Sequence, residues 1–141
     1  MSTRSRPDIS GAADPSAATA ALMHRFNRAF VERDMSGFED LIADDCVMEA
    51  VSPSPEGERT EGKAACLAFW SALIDDASIR FTPEDVEAFE ETAIIRWRLV
   101  HGPGPDDQMR GVNLMRVREG RIIEALGYGK IPGAERSATR P

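Results

Sequence analysis

Gln108-Met-Arg-Gly-Val-Asn-Leu-Met-Arg-Val-Arg-Glu-Gly-Arg-Ile-Ile-Glu-Ala-Leu-Gly-Tyr-Gly-Lys-Ile131 reads as two long strands joined by a tight turn at Glu119-Gly120. Working back from it, Gly102-Pro-Gly-Pro-Asp-Asp107 is a turn. Thr92-Ala-Ile-Ile-Arg-Trp-Arg-Leu-Val-His101 has strand composition, with alternation in Arg96-Trp97-Arg98-Leu99. From Ile79 to Glu90 the chain reads as an irregular strand interrupted by Pro83. The second half is therefore a strand meander.

The first half reads as three helices. Asp14 can cap the free amides of the first, Pro15 suits its first position, and Leu22, Phe26, Ala29 and Phe30 form one apolar face. Ser36-Gly-Phe-Glu39 has capping-box spacing for a short second helix, with Phe38, Leu41 and Ile42 as its stripe and Asp44-Asp45 as its end. Cys46 to Val51 is a short strand, and Ser52-Pro-Ser-Pro-Glu-Gly-Glu58 is a loop. A third helix runs from about Gly62 to Asp76, with Ala65, Phe69 and Leu73 on its buried face. Residues 1–13 read as a disordered tail, 14–131 as one domain and 132–141 as a flexible tail.

Composition limits the function. The 141 residues fit one domain, with 42% hydrophobic and 29% charged residues. A net charge of −7 makes nucleic acid and anionic membranes poor partners. No apolar stretch approaches the roughly 20 residues that cross a bilayer, and no apolar region follows Arg6, so the expectation is a cytoplasmic protein. Cys46 and Cys66 lack metal or redox spacing, His24 and His101 add little, and no phosphate-binding glycine string or Gly-x-Ser-x-Gly elbow occurs. The reading is a domain with no metal and no cofactor.

Three segments carry a likeness: Asp34-Met-Ser-Gly-Phe-Glu-Asp-Leu-Ile-Ala-Asp-Asp45, Ala93-Ile-Ile-Arg-Trp-Arg-Leu99 and Gly111-Val-Asn-Leu-Met-Arg-Val-Arg-Glu-Gly-Arg-Ile-Ile-Glu124. With the element order, the chain resembles the nuclear transport factor 2-like superfamily, which holds SnoaL-like polyketide cyclases, ketosteroid isomerases, limonene epoxide hydrolases and scytalone dehydratase. The resemblance implies an α+β fold. A strongly curved, mixed, mainly antiparallel sheet wraps around three helices as a cone-shaped barrel and closes over an apolar pocket. It also implies a homodimer through the sheet.

Strand alternation assigns side chains to that pocket. Ile95, Trp97, Leu99 and His101 share one face, as do Gly111, Asn113, Met115 and Val117, while the arginines between them face out toward Glu87, Glu90 and Glu124. On the last strand Ile123, Ala125, Gly127 and Gly129 face in, opposite Glu124, Leu126 and Tyr128. Asn113 is the one polar side chain in an apolar row. The expected pocket takes Phe26 and Phe30 from the first helix, Phe69 from the third and Met48 from the first strand; the later strands add Trp97, Asn113, Met115 and Gly127.

The superfamily's reactions fit these residues poorly. Where ketosteroid isomerases have a tyrosine, a carboxylate base and a protonated aspartic acid, matching the motifs gives Phe26, Ala50 and Asn113. A one-residue slip of the first strand would turn Glu49 inward, and both phases are tolerable. Glu49 and His101 are the candidate bases. The first reading is a pocket for a small, mostly apolar organic molecule, with proton transfer, cyclisation or hydration carried out there. The alternative is a non-catalytic binding or dimerisation module that has lost its catalytic acids.

Overall fold

The computed structural model describes residues 14–132; the expected tails at 1–13 and 132–141 lie outside the described residues, apart from Pro132. Helix α1 spans Pro15–Glu32. Asp14 Oδ1 accepts from Ser16 N at 3.0 Å and Ala17 N at 3.3 Å, and Pro15 fills the first turn. Arg33, in the left-handed region at φ 53°, ends the helix by returning its N–H to Ala29 O. The buried face is Leu22, Met23, Phe26, Ala29 and Phe30, joined by the polar Thr19 and Asn27. Thr19 Oγ1 donates to Glu90 O at 2.5 Å and so pins the helix start to a sheet turn.

The expected second helix is a single 3₁₀ turn, Phe38–Leu41. Gly37, at φ 74°, precedes it, and no side chain caps it. Ser36 stands one residue before the cap position, with its N–H bound to Asp34 Oδ1 at 2.9 Å. The chain then enters strand β1, Ile42–Glu49, four residues earlier than the apolar run suggested. Ile42, fully buried, pairs with Ile122, and a bulge follows before Val47 pairs with Glu124. Asp44 and Asp45 project from that bulge, where Arg118 Nη2 meets Asp45 Oδ1 at 2.7 Å.

After the short β2 (Arg59–Glu61) comes helix α2, Lys63–Asp75, close to the expected third helix. Strands β3 (Arg80–Phe89), β4 (Thr92–Val100), β5 (Gln108–Arg118) and β6 (Arg121–Lys130) complete a six-stranded sheet in the order β2-β1-β6-β5-β4-β3. Only β1 and β6 run parallel. The result is the α+β fold expected: a mixed, mainly antiparallel sheet with α1 packed on β3 and β4 and α2 on β1.

Two bulges shift the expected faces. In β3, Pro83 pairs with Trp97 and Asp85 with Arg96, leaving Glu84 as the extra residue. In β6, Glu124 pairs with Arg116 but Ile122 with Val117, leaving Ile123 without an opposite. Ile122 therefore takes the fully buried place expected for Ile123. Outside the sheet, Arg96 pairs with Asp85 and Glu87, Arg98 and Arg110 share Glu84, and Arg116 reaches Glu124. Glu90 instead turns the chain between β3 and β4 at φ 54°. No helix among the described residues is long and apolar enough to cross a membrane.

Candidate functional site

A cavity of about 390 Å³ lies between the two helices and the concave side of the sheet, within the usual range for small-molecule sites. Phe26 and Phe30 reach it from α1; Phe69, Trp70 and Leu73 reach it from α2. The sheet adds Met48, Trp97, Leu99, Asn113 and Gly127 among others, and Arg33, Ser52 and Ile131 complete the lining. Aromatic rings brace one another around it. Phe30 and Phe81 lie 5.0 Å apart, Phe81 and Trp97 5.7 Å, and Phe26 meets Trp70 edge-on at 5.2 Å. Such pairs contribute roughly 0.5–1.5 kcal/mol beyond burial.

Trp97 has a seat made for it. It pairs with Gly111, where an added Cβ would stand 2.4 Å from Trp97 Cζ2 and 2.6 Å from the Tyr128 carbonyl. The missing side chain lets the indole lie flat against β5, a role that alternation alone did not assign to Gly111. From there Trp97 Nε1 donates to Asn113 Oδ1 at 3.1 Å. An indole N–H can only donate, so the Asn113 oxygen must face it, and the Asn113 NH₂ is left as a donor for other partners. Gly127 lies alongside: an added Cβ there would come within 3.5 Å of Asn113 Oδ1, 3.4 Å of Val51 Cγ2 and 3.2 Å of Glu49 O. Its bare backbone serves both cavity space and close packing against the end of β1.

Seven expected pocket residues meet here: Phe26, Phe30, Met48, Phe69, Trp97, Asn113 and Gly127. Met115 does not line the cavity. It is 1% exposed, pairs with Ala93 and Ala125, and is packed in the core beyond the cavity floor.

Of the two candidate bases, Glu49 borders the cavity and His101 does not. Cys46 and Met48 are buried, which fixes the inward phase of β1. Glu49 then shares the convex row of its register partners Arg59 and Leu126, and its carboxylate takes Arg59 Nη1 at 2.9 Å. It borders the cavity where its backbone carbonyl approaches Gly127. His101 is half exposed at the end of β4, with Nδ1 4.0 Å from Asp107 Oδ1, and it does not line the cavity. The reason is the turn that follows: His101 N–H bonds Asp107 O at 2.8 Å, which holds the residue against the Gly104–Asp107 turn.

The sequence reading missed Arg33. It follows the apolar face of the first helix and lines the cavity. Its Nη1 donates to Ile74 O at 3.1 Å and to Asp76 O at 2.8 Å, and its Nη2 donates to Ile79 O. No spacing or residue type marks it: it is the cap just past Glu32, where the chain leaves helical geometry. Cys46 and Cys66 are buried free thiols, both pushed up in pKa chiefly by burial, and behave as small core hydrophobes. Among the described residues no cluster of metal-ligating side chains occurs.

Comparison with known proteins agrees with this geometry. An NTF2-like protein of unknown function from Mesorhizobium loti is 42% identical, with 89% of this chain and 97% of that one covered and a TM-score of 0.79. At lower identity, the fold is shared by a steroid delta-isomerase of Pseudomonas aeruginosa (18%, covering 82% of each chain, TM-score 0.66). It is shared too by an NTF2-like protein of unknown function from Burkholderia xenovorans (16%, covering 90% and 96%, TM-score 0.67). No curated protein matches. The SnoaL-like domain family matches residues 23–125, so the chain belongs to the SnoaL-like family within the nuclear transport factor 2-like superfamily.

Proposed function

We propose that this SnoaL-like domain binds a small, mostly apolar organic molecule, held through one acceptor oxygen by the Asn113 NH₂. The observation that carries the reading is the Trp97–Asn113 bond inside an aromatic-walled cavity. It pre-sets the amide as a donor, so a ketone, ester or hydroxyl oxygen is the complementary group. No cofactor enters the reading. The same proposal takes the chain as a cytoplasmic homodimer paired through the convex side of the sheet.

Binding without chemistry is the better-supported form. Among the cavity-lining residues the only carboxylate is Glu49, and it is ion-paired with Arg59 on the convex side. Proton transfer, as in the steroid delta-isomerase of like fold, is the second reading, and it would have to run through Glu49. Thermal unfolding against cyclic ketones, lactones, epoxides and polyketide-like aromatics tests both. A ligand at about 100 times its dissociation constant adds about 2.7 kcal/mol and raises the midpoint by several degrees. Asn113→Leu is expected to abolish the shift; it also strands the Trp97 N–H, at a cost of about 1–3 kcal/mol, so the shift is read against the variant's own unliganded midpoint. An unchanged shift would remove Asn113 from the site. Turnover of a hit that disappears in Glu49→Gln would favour the enzyme instead.

A further inference from the structure

Arg33 brings a guanidinium to the edge of the cavity. Its guanidinium is held by three backbone carbonyls, those of Ile74 and Asp76 at the end of α2 and of Ile79 just beyond it. Three anchors on two nitrogens fix the plane of the group. The remaining N–H donors, Nε–H included, have no partner among the described residues. No carboxylate among those residues forms an ion pair with it. The acid that feels its charge, Asp76, is committed elsewhere: Asp76 Oδ1 accepts from Ser78 N at 2.9 Å and Ser78 Oγ at 2.6 Å. The other charged residue bordering the cavity, Glu49, is ion-paired with Arg59, which also meets Glu61. The cavity is therefore an aromatic and aliphatic chamber with one fixed guanidinium at its exposed rim, partly balanced by the carbonyls ending α2 and by Asp76 but bound to no carboxylate among the described residues.

We infer that the ligand is an organic anion: an apolar, ring-bearing body that fits the aromatic walls and carries a carboxylate to the free edge of the Arg33 guanidinium. This deepens the proposed binding function and rests on it. The chemistry is directional. A guanidinium matches a planar carboxylate through paired N–H donors, and the attraction strengthens where apolar walls displace water. A chain with net charge −7 repels anions at long range, so affinity for an acid must arise from this local contact. Asn113 then supplies a second, neutral donor for a carbonyl or hydroxyl on the ring body.

The test compares naphthalene-1-acetic acid with its methyl ester and its primary amide by titration calorimetry on the wild-type chain. The three share the ring and an acceptor oxygen and differ in charge. Charge-assisted hydrogen bonds of this kind give roughly ten- to hundredfold in affinity, so the acid is expected to bind tighter than the ester and amide by that factor. Arg33→Met should erase the preference, bringing the affinity of the acid down to that of the ester, while Arg33→Lys should keep part of it. Because Arg33→Met also removes the clamp on the end of α2, the wild-type comparison stands as evidence whether or not that variant folds. Equal binding of acid and ester overturns the anion assignment and spares the pocket. A preference that survives in Arg33→Met overturns the role of Arg33. Failure of all three to bind overturns the pocket reading and this inference with it.

Discussion

Gly111 and Trp97 form one unit: the glycine leaves a flat surface, the indole lies on it, and the indole N–H then sets the Asn113 amide. Gly111→Ala tests the unit. Its Cβ would meet both the ring and the Tyr128 carbonyl, and a backbone atom cannot swing aside. The expected result is a loss of about 1–3 kcal/mol, typical of overpacking, read as a lower urea midpoint together with a red-shifted tryptophan emission. An unchanged midpoint would mean that the strand yields easily and the seat is not needed. At this scale the sequence was readable where alternation holds. Trp97 and Asn113 could be put on the concave side from the periods of their own strands. The hydrogen bond between them could not, since it depends on how two strands register. Arg33 was unreadable for a related reason: its partners are carbonyls at the far end of another helix, and no pattern in residues 14–33 records them.

At the scale of elements, bulges set what could be read. The extra residue of β3, Glu84, extends its carboxylate across β4 to Arg98 and Arg110, at 3.4 and 2.9 Å. The Arg110 hydrogen bond is the main cause that holds its carboxyl below the usual 4.5. Asp45, tied to Arg118 across the β1 bulge, is lowered in the same way. A carboxyl lowered by folding lends stability above its unfolded pKa and loses it as the pH falls through the folded one. The protein should therefore lose thermal stability as the pH drops below about 4.5, and Glu84→Gln should flatten that acid limb by lowering the midpoint at pH 7 while leaving it nearly unchanged in acid. An identical pH profile for the variant would show the bridge to be idle, as many exposed pairs are. The expected strands were found, but their faces slipped wherever an unpaired residue entered. Ile122 and Ile123 are equally apolar, so composition could not say which would be buried. The one-turn 3₁₀ segment at Phe38–Leu41 looked like a helix because its apolar spacing is shared by the strand that begins at Ile42.

For the molecule as a whole, the convex side of the sheet carries the next expectation. Ile94, Leu114 and Leu126 lie in one row across β4, β5 and β6, with Val112 and Tyr128 in the row beside it. Leu114 is 39% exposed, Tyr128 53% and Phe89, at the edge, 71%. Ion pairs of both signs flank this strip, so a second copy related by a two-fold axis would meet apolar with apolar and acid with arginine. Sedimentation velocity should give a dimer mass for the wild type and a monomer mass for Leu114→Glu. A wild-type monomer would remove the dimer from the proposal, and a dimeric Leu114→Glu would move its interface. The parallel pairing of β1 with β6 has a further consequence, in time rather than space. Strand β1 is the first strand of the sheet to be made, yet one of its two neighbours, β6, is the last of the six. Until residues 121–130 emerge, β1 and β5 each present an open strand edge, the cavity lacks the wall built on Ala125 and Gly127, and the core lacks Ile122. Such edges invite pairing with other chains. The nascent chain is thus most exposed to aggregation between the release of β5 and that of β6, and a stop codon just after Arg118 would yield a sticky species rather than a smaller domain.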